Sequence, residues 1–175
     1  MIPQKRCNET KSHPLTVVLG SSLEVTLATT NTGSSAMPLS EALHSYFAVS
    51  DIRHASVTGL DKEQYIDTLQ VGRPILTQAG PVAFSAETDR IYINSTCECV
   101  VEDPGMHRRI RISKKGSLST VVWNPWIAKA ARMSDFGDNE YPEMVCVETA
   151  NCGPNTIDLA AGQTHAMTTR ISVDR

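Results

Sequence analysis

The stretch LTVVLGSSLEVTLATT, Leu15 to Thr30, reads as two strands folded about a Gly20-Ser21-Ser22 turn. In its second half Leu23, Val25 and Leu27 alternate with Glu24, Thr26 and Ala28, the period of two that sends successive side chains to opposite faces of a sheet. Small turn residues between two such runs are a β-hairpin signature. The same pattern continues outward. Asn31 to Pro38 is a small, polar loop, Leu39 to Val49 carries the next apolar stretch, and His54 to Leu60 reads as a strand ending at Gly59. Tyr65 to Thr68 and Val71 to Leu76 form a further short pair. Arg90 to Cys99, Arg108 to Ser113, Ser119 to Trp123, Glu143 to Thr149 and His165 to Val173 complete the set, each bounded by Gly, Pro, Asp or Asn. Only Trp126 to Met133 reads as helix, a turn or two entered at Pro125 and left before Asp135. Many short strands with polar turns predict an all-β sandwich.

With 175 residues, 41% of them hydrophobic, the chain is long enough for one domain with a proper core and short for two. No internal repeat or low-complexity linker divides it, so residues 14–175 are expected to form a single domain. Residues 1–13 are polar and unpatterned, as if the chain began inside a larger architecture. A net charge of −3 gives no electrostatic footprint for nucleic acid, and the one basic cluster, Arg108 to Lys115, is itself an alternating strand. Apolar runs fall far short of the roughly 18 residues a membrane-spanning helix needs. The N-terminus lacks the apolar core of a signal peptide, so a cytoplasmic protein without membrane contact is expected. Five cysteines, Cys7, Cys97, Cys99, Cys146 and Cys152, lack a disulfide framework's spacing and are expected as free thiols. Cys97 and Cys99 have no CxxC or His-x-x-x-His companion, so no metal is assigned to them.

Three polar residues stand out on strand ends. Within Met144 to Thr149, Val145 and Val147 alternate with Cys146 and Glu148, which places the carboxylate on the face opposite the valines. Such a glutamate is usually a solvated outward position. His44 lies in ALHSYF, with Leu43, Tyr46 and Phe47 available for packing, where a histidine is most often a hydrogen-bonded core or rim residue. Asp89 opens TDRIY, where the plain expectation is a turn with a local ion pair to Arg90. Together they supply a histidine, an aspartate and a glutamate that could converge across a concave sheet and hold a polyhydroxylated ligand. Trp123 and Trp126 are candidate pocket walls, although a Trp at a strand end is more often core.

The ordered series ALHSYFAVSDI, VTGL with Tyr65-Ile66-Asp67, TDRIY, VVWNPW with MSDFGDNEY, VCVE and LAAGQTHAMTTRISV resembles the glucose-6-phosphate 1-epimerase family. This is the hexose-6-phosphate mutarotase branch of the galactose mutarotase-like superfamily. The likeness runs from about Pro14 to the C-terminus and covers the family's C-terminal three-fifths. It implies a galactose mutarotase-like β-sandwich (supersandwich) without the N-terminal strands, and an isomerase that interconverts the α and β anomers of a hexose 6-phosphate. It further implies His44 as general acid, Glu148 as general base and Asp89 as a ligand of sugar hydroxyls, with no metal or organic cofactor. The family's phosphate-gripping arginines belong to the N-terminal part, which nothing here matches. No phosphate ligand is therefore carried over, and similar handling of glucose and glucose 6-phosphate is expected. A non-catalytic carbohydrate-binding module, or a truncated inactive fragment of the family, is the alternative.

Overall fold

The computed structural model describes residues 11–174. They build two antiparallel sheets laid face to face. The larger has eight strands, in the order Lys11–Ser12, Leu23–Asn31, Thr164–Asp174, Arg108–Lys115, Cys99–Asp103, Ser56–Thr58 and Val82–Ala83, with Leu15–Leu19 also paired to Leu23–Asn31. The smaller has seven, in the order Glu41–Leu43, Met144–Asn151, Ser119–Asn124, Thr88–Tyr92, Gln64–Asp67 and Ile75–Thr77, with Tyr46–Ala48 also paired to Met144–Asn151. A short ladder of Met37–Leu39 with Ile157–Leu159 stands beside them. No helix among the described residues is long and apolar enough to cross a membrane.

The two inward faces make one core. Val57, Val101, Ile110 and Ile112 of the larger sheet belong to the same buried cluster as Tyr92, Val122, Val145 and Val147 of the smaller. Full burial of each aliphatic side chain contributes roughly 1.5–3 kcal/mol, so these strands are held by their inward rows. The all-β sandwich expected from the hairpin is what forms, with Leu15 opposite Leu27 and Leu19 opposite Leu23. The turn at the end of Ser56–Thr58 requires glycine. Gly59 has φ +94°, and a Cβ there would overlap the carbonyl of Glu98.

Several boundaries differ from the sequence reading. Arg90 to Cys99 is not one strand: Thr88–Tyr92 ends in the smaller sheet and Cys99–Asp103 begins in the larger. The crossing is set at Asn94, which has a left-handed φ of 53° and exchanges two hydrogen bonds with the Asn155 side chain, at 3.0 and 2.8 Å. Leu39 to Val49 is divided into pieces rather than continuous. His54 lies in a turn ahead of its strand, and the helix is shorter than expected, Trp126–Ala130. Residues 1–10 of the unpatterned segment lie outside the described residues, but Lys11–Ser12 pairs with Thr30 and Asn31. Cys97, Cys99, Cys146 and Cys152 are free thiols, and Cys7 lies outside the described residues.

Candidate active site

The outward face of the smaller sheet carries the polar residues, and strand register explains why they meet. Asp89 sits opposite Trp123, and Trp123 opposite Cys146, which in turn sits opposite Tyr46. The next row is Ile91, Val121 and Glu148. Because side chains alternate along each strand, both rows project away from the valine core. His44 lies between Glu41–Leu43 and Tyr46–Ala48, two short strands that both pair with Met144–Asn151. Leu43 opposes Thr149 and Tyr46 opposes Cys146, so the uninterrupted register brings His44 opposite Glu148.

His44, Asp89 and Glu148 thus line one cleft of about 350 Å³, together with Tyr46, Trp123 and Arg73 among others, a size within the range of small-molecule sites. His44 Nδ1 lies 3.0 Å from Glu148 Oε1. An ionised carboxylate only accepts, so Nδ1 is the donor in that contact. The two partners differ in exposure: the histidine side chain is 62% accessible and the glutamate side chain 8%. Glu148 also accepts a long contact of 3.4 Å from the Cys146 thiol. Burial raises the Glu148 pKa above the ordinary carboxylate value, the His44 charge opposes that rise, and the nearby Asp89 charge adds to it. A carboxylate so placed is a stronger base than one in water.

Asp89 does not form the expected ion pair with Arg90. The two project to opposite faces: Arg90 turns inward, donating to Gln78 Oε1 at 3.0 Å and lying 4.8 Å from the Tyr65 ring centre. The Asp89 backbone is pinned by Thr68, whose N–H and Oγ1 both donate to its carbonyl, at 3.1 and 3.0 Å. Its carboxylate is left facing the cleft without a hydrogen-bond or ion-pair partner among the described residues. Tyr46, expected to help pack, is half exposed at the cleft instead, edge-on to Trp123 with ring centres 6.0 Å apart. The two tryptophans therefore separate: Trp123 walls the cleft, and Trp126 packs beside Tyr141 against the core. Between them Asn124, fully buried, donates to the Tyr141 and Met144 carbonyls and accepts from the Trp126 N–H.

Two cations at the cleft escaped the sequence reading. Arg73 comes from the turn between Gln64–Asp67 and Ile75–Thr77, at a left-handed φ of 46°, and Lys129 from the short helix. Arg73 has no carboxylate partner among the described residues, whereas Lys129 lies 3.6 Å from Glu87. No motif marks either one, and only the fold brings them to the cleft. Among the described residues, His44, Cys146 and Glu148 at the cleft each present a possible metal-ligand atom within 4.8 Å of the others.

A two-sheet antiparallel sandwich of this kind is the architecture of the galactose mutarotase-like proteins. The crystal structure of a provisionally named mutarotase, YeaD from Salmonella typhimurium, superposes with a TM-score of 0.84 at 27% identity, over 94% of this chain and 54% of that one. A galactose mutarotase-like protein from Lactobacillus casei shares the fold at 14% identity with a TM-score of 0.72, over 94% of this chain and 63% of its own. The aldose 1-epimerase family model matches residues 14–172, and the chain belongs to that family. A relative from Cenchrus ciliaris, provisionally named a glucose-6-phosphate 1-epimerase, is 38% identical over 140 residues, 78% of this chain and 43% of that protein. One from Escherichia coli K12 with the same provisional name is 38% identical over 109 residues, 62% of this chain and 37% of its own. The chain thus spans less than half the length of these two relatives.

Proposed function

We propose that the chain is an isomerase that interconverts the α and β anomers of a hexose 6-phosphate by general acid/base ring opening. The observation that carries this reading is the 3.0 Å contact of His44 Nδ1 with Glu148 Oε1 in a cleft that also holds the unpaired Asp89 carboxylate. Glu148 takes the proton of the anomeric hydroxyl as the bond from C1 to the ring oxygen breaks. His44, as imidazolium, delivers a proton to that ring oxygen, and its contact with Glu148 steadies the ring. The aldehyde rotates about C1–C2 and closes on its other face. His44 then recovers its proton from the attacking hydroxyl, and Glu148 returns one to the new anomeric oxygen. Asp89 accepts from sugar hydroxyls, and Trp123 offers a flat wall for the apolar face of the ring. Sugars mutarotate unaided, so a general acid/base contribution of roughly 10²–10⁴-fold suits the task.

The 6-phosphate in this reading rests on the names of the relatives and on Arg73 and Lys129, two cations that line the cleft. The second reading, a non-catalytic carbohydrate-binding module or an inactive fragment, is favoured by the 62% accessibility of the His44 side chain, which leaves the proposed acid open to water. Magnetisation exchange between the anomer signals of glucose 6-phosphate, with and without protein, separates the two. Acceleration proportional to protein concentration supports the enzyme; shifted sugar or protein signals with unchanged exchange support the module.

A further inference from the structure

Cys146 has no task in the proton transfers, yet it shares the outward face with the proposed base and is fully buried behind it. Its Sγ lies 3.4 Å from Glu148 Oε1, and His44 Nδ1 lies 3.0 Å from that same oxygen. We infer that His44, Cys146 and Glu148 form a binding site for a thiophilic divalent cation of the zinc class, and that its occupancy blocks the cleft's acid/base pair.

The donor set selects the ion. One thiolate, one imidazole and one carboxylate match zinc, which bonds these groups at about 2.0–2.3 Å and so holds tetrahedral ligand atoms roughly 3.3–3.8 Å apart. The 3.4 Å spacing falls within that range, the 3.0 Å spacing lies about 0.3 Å below it, and the third pair of atoms is within 4.8 Å, so the ligands must shift slightly to take the ion. Cys146 and Glu148 are fixed two residues apart on one buried strand, so the adjustment falls to His44, whose side chain is exposed. Magnesium and calcium prefer all-oxygen shells and are poor occupants of a site with sulfur and nitrogen donors. Three protein ligands leave a fourth position toward the cleft, open to water or a sugar oxygen.

Binding releases the Cys146 thiol proton to solvent and takes up the carboxylate oxygen and imidazole nitrogen that turnover needs. The cation is therefore an inhibitor of turnover, whether water or a sugar oxygen takes the fourth position. This consequence rests on the proposed reaction; the binding does not.

The test uses Co2+ as a spectroscopic probe with the full, reduced chain. One Co2+ per chain is expected, with thiolate-to-cobalt charge-transfer absorption that Zn2+ abolishes by displacement. Cys146→Ala should remove the band, and Cys97→Ala should leave it intact. His44→Ala should weaken binding at least about 100-fold, beyond the usual cost of losing an outer-shell partner. No band in the wild type, a band that survives in folded Cys146→Ala or vanishes in folded Cys97→Ala, or unchanged affinity in His44→Ala would overturn the assignment. If Cys146→Ala fails to fold, His44→Ala decides, since that side chain is exposed. A chain that binds the cation but never accelerates anomer exchange would sink the proposed reaction and leave this site standing.

Discussion

Replacing Arg73 with alanine should separate the phosphorylated from the plain sugar. Arg73 lines the cleft from a turn, is exposed, and has no carboxylate partner among the described residues. Its guanidinium is therefore available to a phosphate without first breaking an ion pair. A hydrogen bond to a charged group contributes about 1.5–3 kcal/mol, and the open position places Arg73 near the lower figure, or roughly tenfold in affinity. Lys129 shares its charge with Glu87 at 3.6 Å, so Lys129→Ala should cost less, roughly two- to fivefold. Both losses should shrink in high salt, because the contacts are exposed to screening ions. The assay is a titration of glucose 6-phosphate and of glucose, followed by protein chemical shifts, with anomer exchange measured on the same samples. Arg73→Ala should weaken glucose 6-phosphate and leave glucose nearly unchanged. Equal weakening of both sugars, or no change in either, would refute the role given to these cations.

Burial lowers the Lys114 pKa from its ordinary 10.5 to about 8 while its Nζ donates to the Ser119 carbonyl and Thr120 Oγ1. The unfolded chain then holds more protons than the folded one between those two values, so this group's contribution to stability should rise by at most about 3 kcal/mol as pH goes from 8 to 10.5. The raised Cys99 and Cys146 thiols lower the stability of both proteins above the ordinary thiol pKa, so the Lys114 contribution should appear in urea unfolding as a wild-type advantage over Lys114→Met that grows across that range; a constant difference would refute it. Asn124→Ala removes the partner of three backbone groups and should destabilise the fold by about 3 kcal/mol, read as a lower urea midpoint. A loss below about 1 kcal/mol would show that water replaces those bonds. Burial pushes the Cys99 thiol up to about 12 and raises Cys146 as well, so both should resist thiol reagents in the folded protein while the partly exposed Cys97 reacts. All five cysteines of the sequence should react in denaturant, and fewer would indicate a disulfide.

The hairpin from Leu15 was legible because its alternation is uninterrupted and its turn residues are small. The side of the sheet taken by Glu148 was legible for the same reason: Val145 and Val147 are buried at 0% and 1%, and a period of two sends Cys146 and Glu148 the other way. The crossing between sheets after Tyr92 was not, because Ile93 to Cys99 keeps enough apolar residues to pass for strand, and what bends it is an Asn94–Asn155 pairing between residues 61 apart. Long-range register also hid the rest of the cleft. Tyr46 looks like core material until the partner strand places it beside Trp123. Arg73 and Lys129 carry no local signal, since a cation in a turn or on a short helix is ordinary surface until other strands close a cleft around it. Alternation put Cys146 on the Glu148 face, but His44 reaches that pair from a different strand pair, which only the register shows.

The central claim is that Glu148, held against His44, takes the anomeric proton. Glu148→Gln keeps the size of the side chain and much of its hydrogen bonding but removes the basic site, so it separates proton abstraction from sugar binding. The direct measurement is the anomer interconversion rate of glucose 6-phosphate by magnetisation exchange, for the wild type, Glu148→Gln, His44→Ala and the double variant, with folding checked on each. Each single variant should lose most of the acceleration, about 10²-fold or more, and the double variant should lose little beyond that, because acid and base act on one transition state. A well-folded Glu148→Gln protein that exchanges anomers at the wild-type rate would contradict the account.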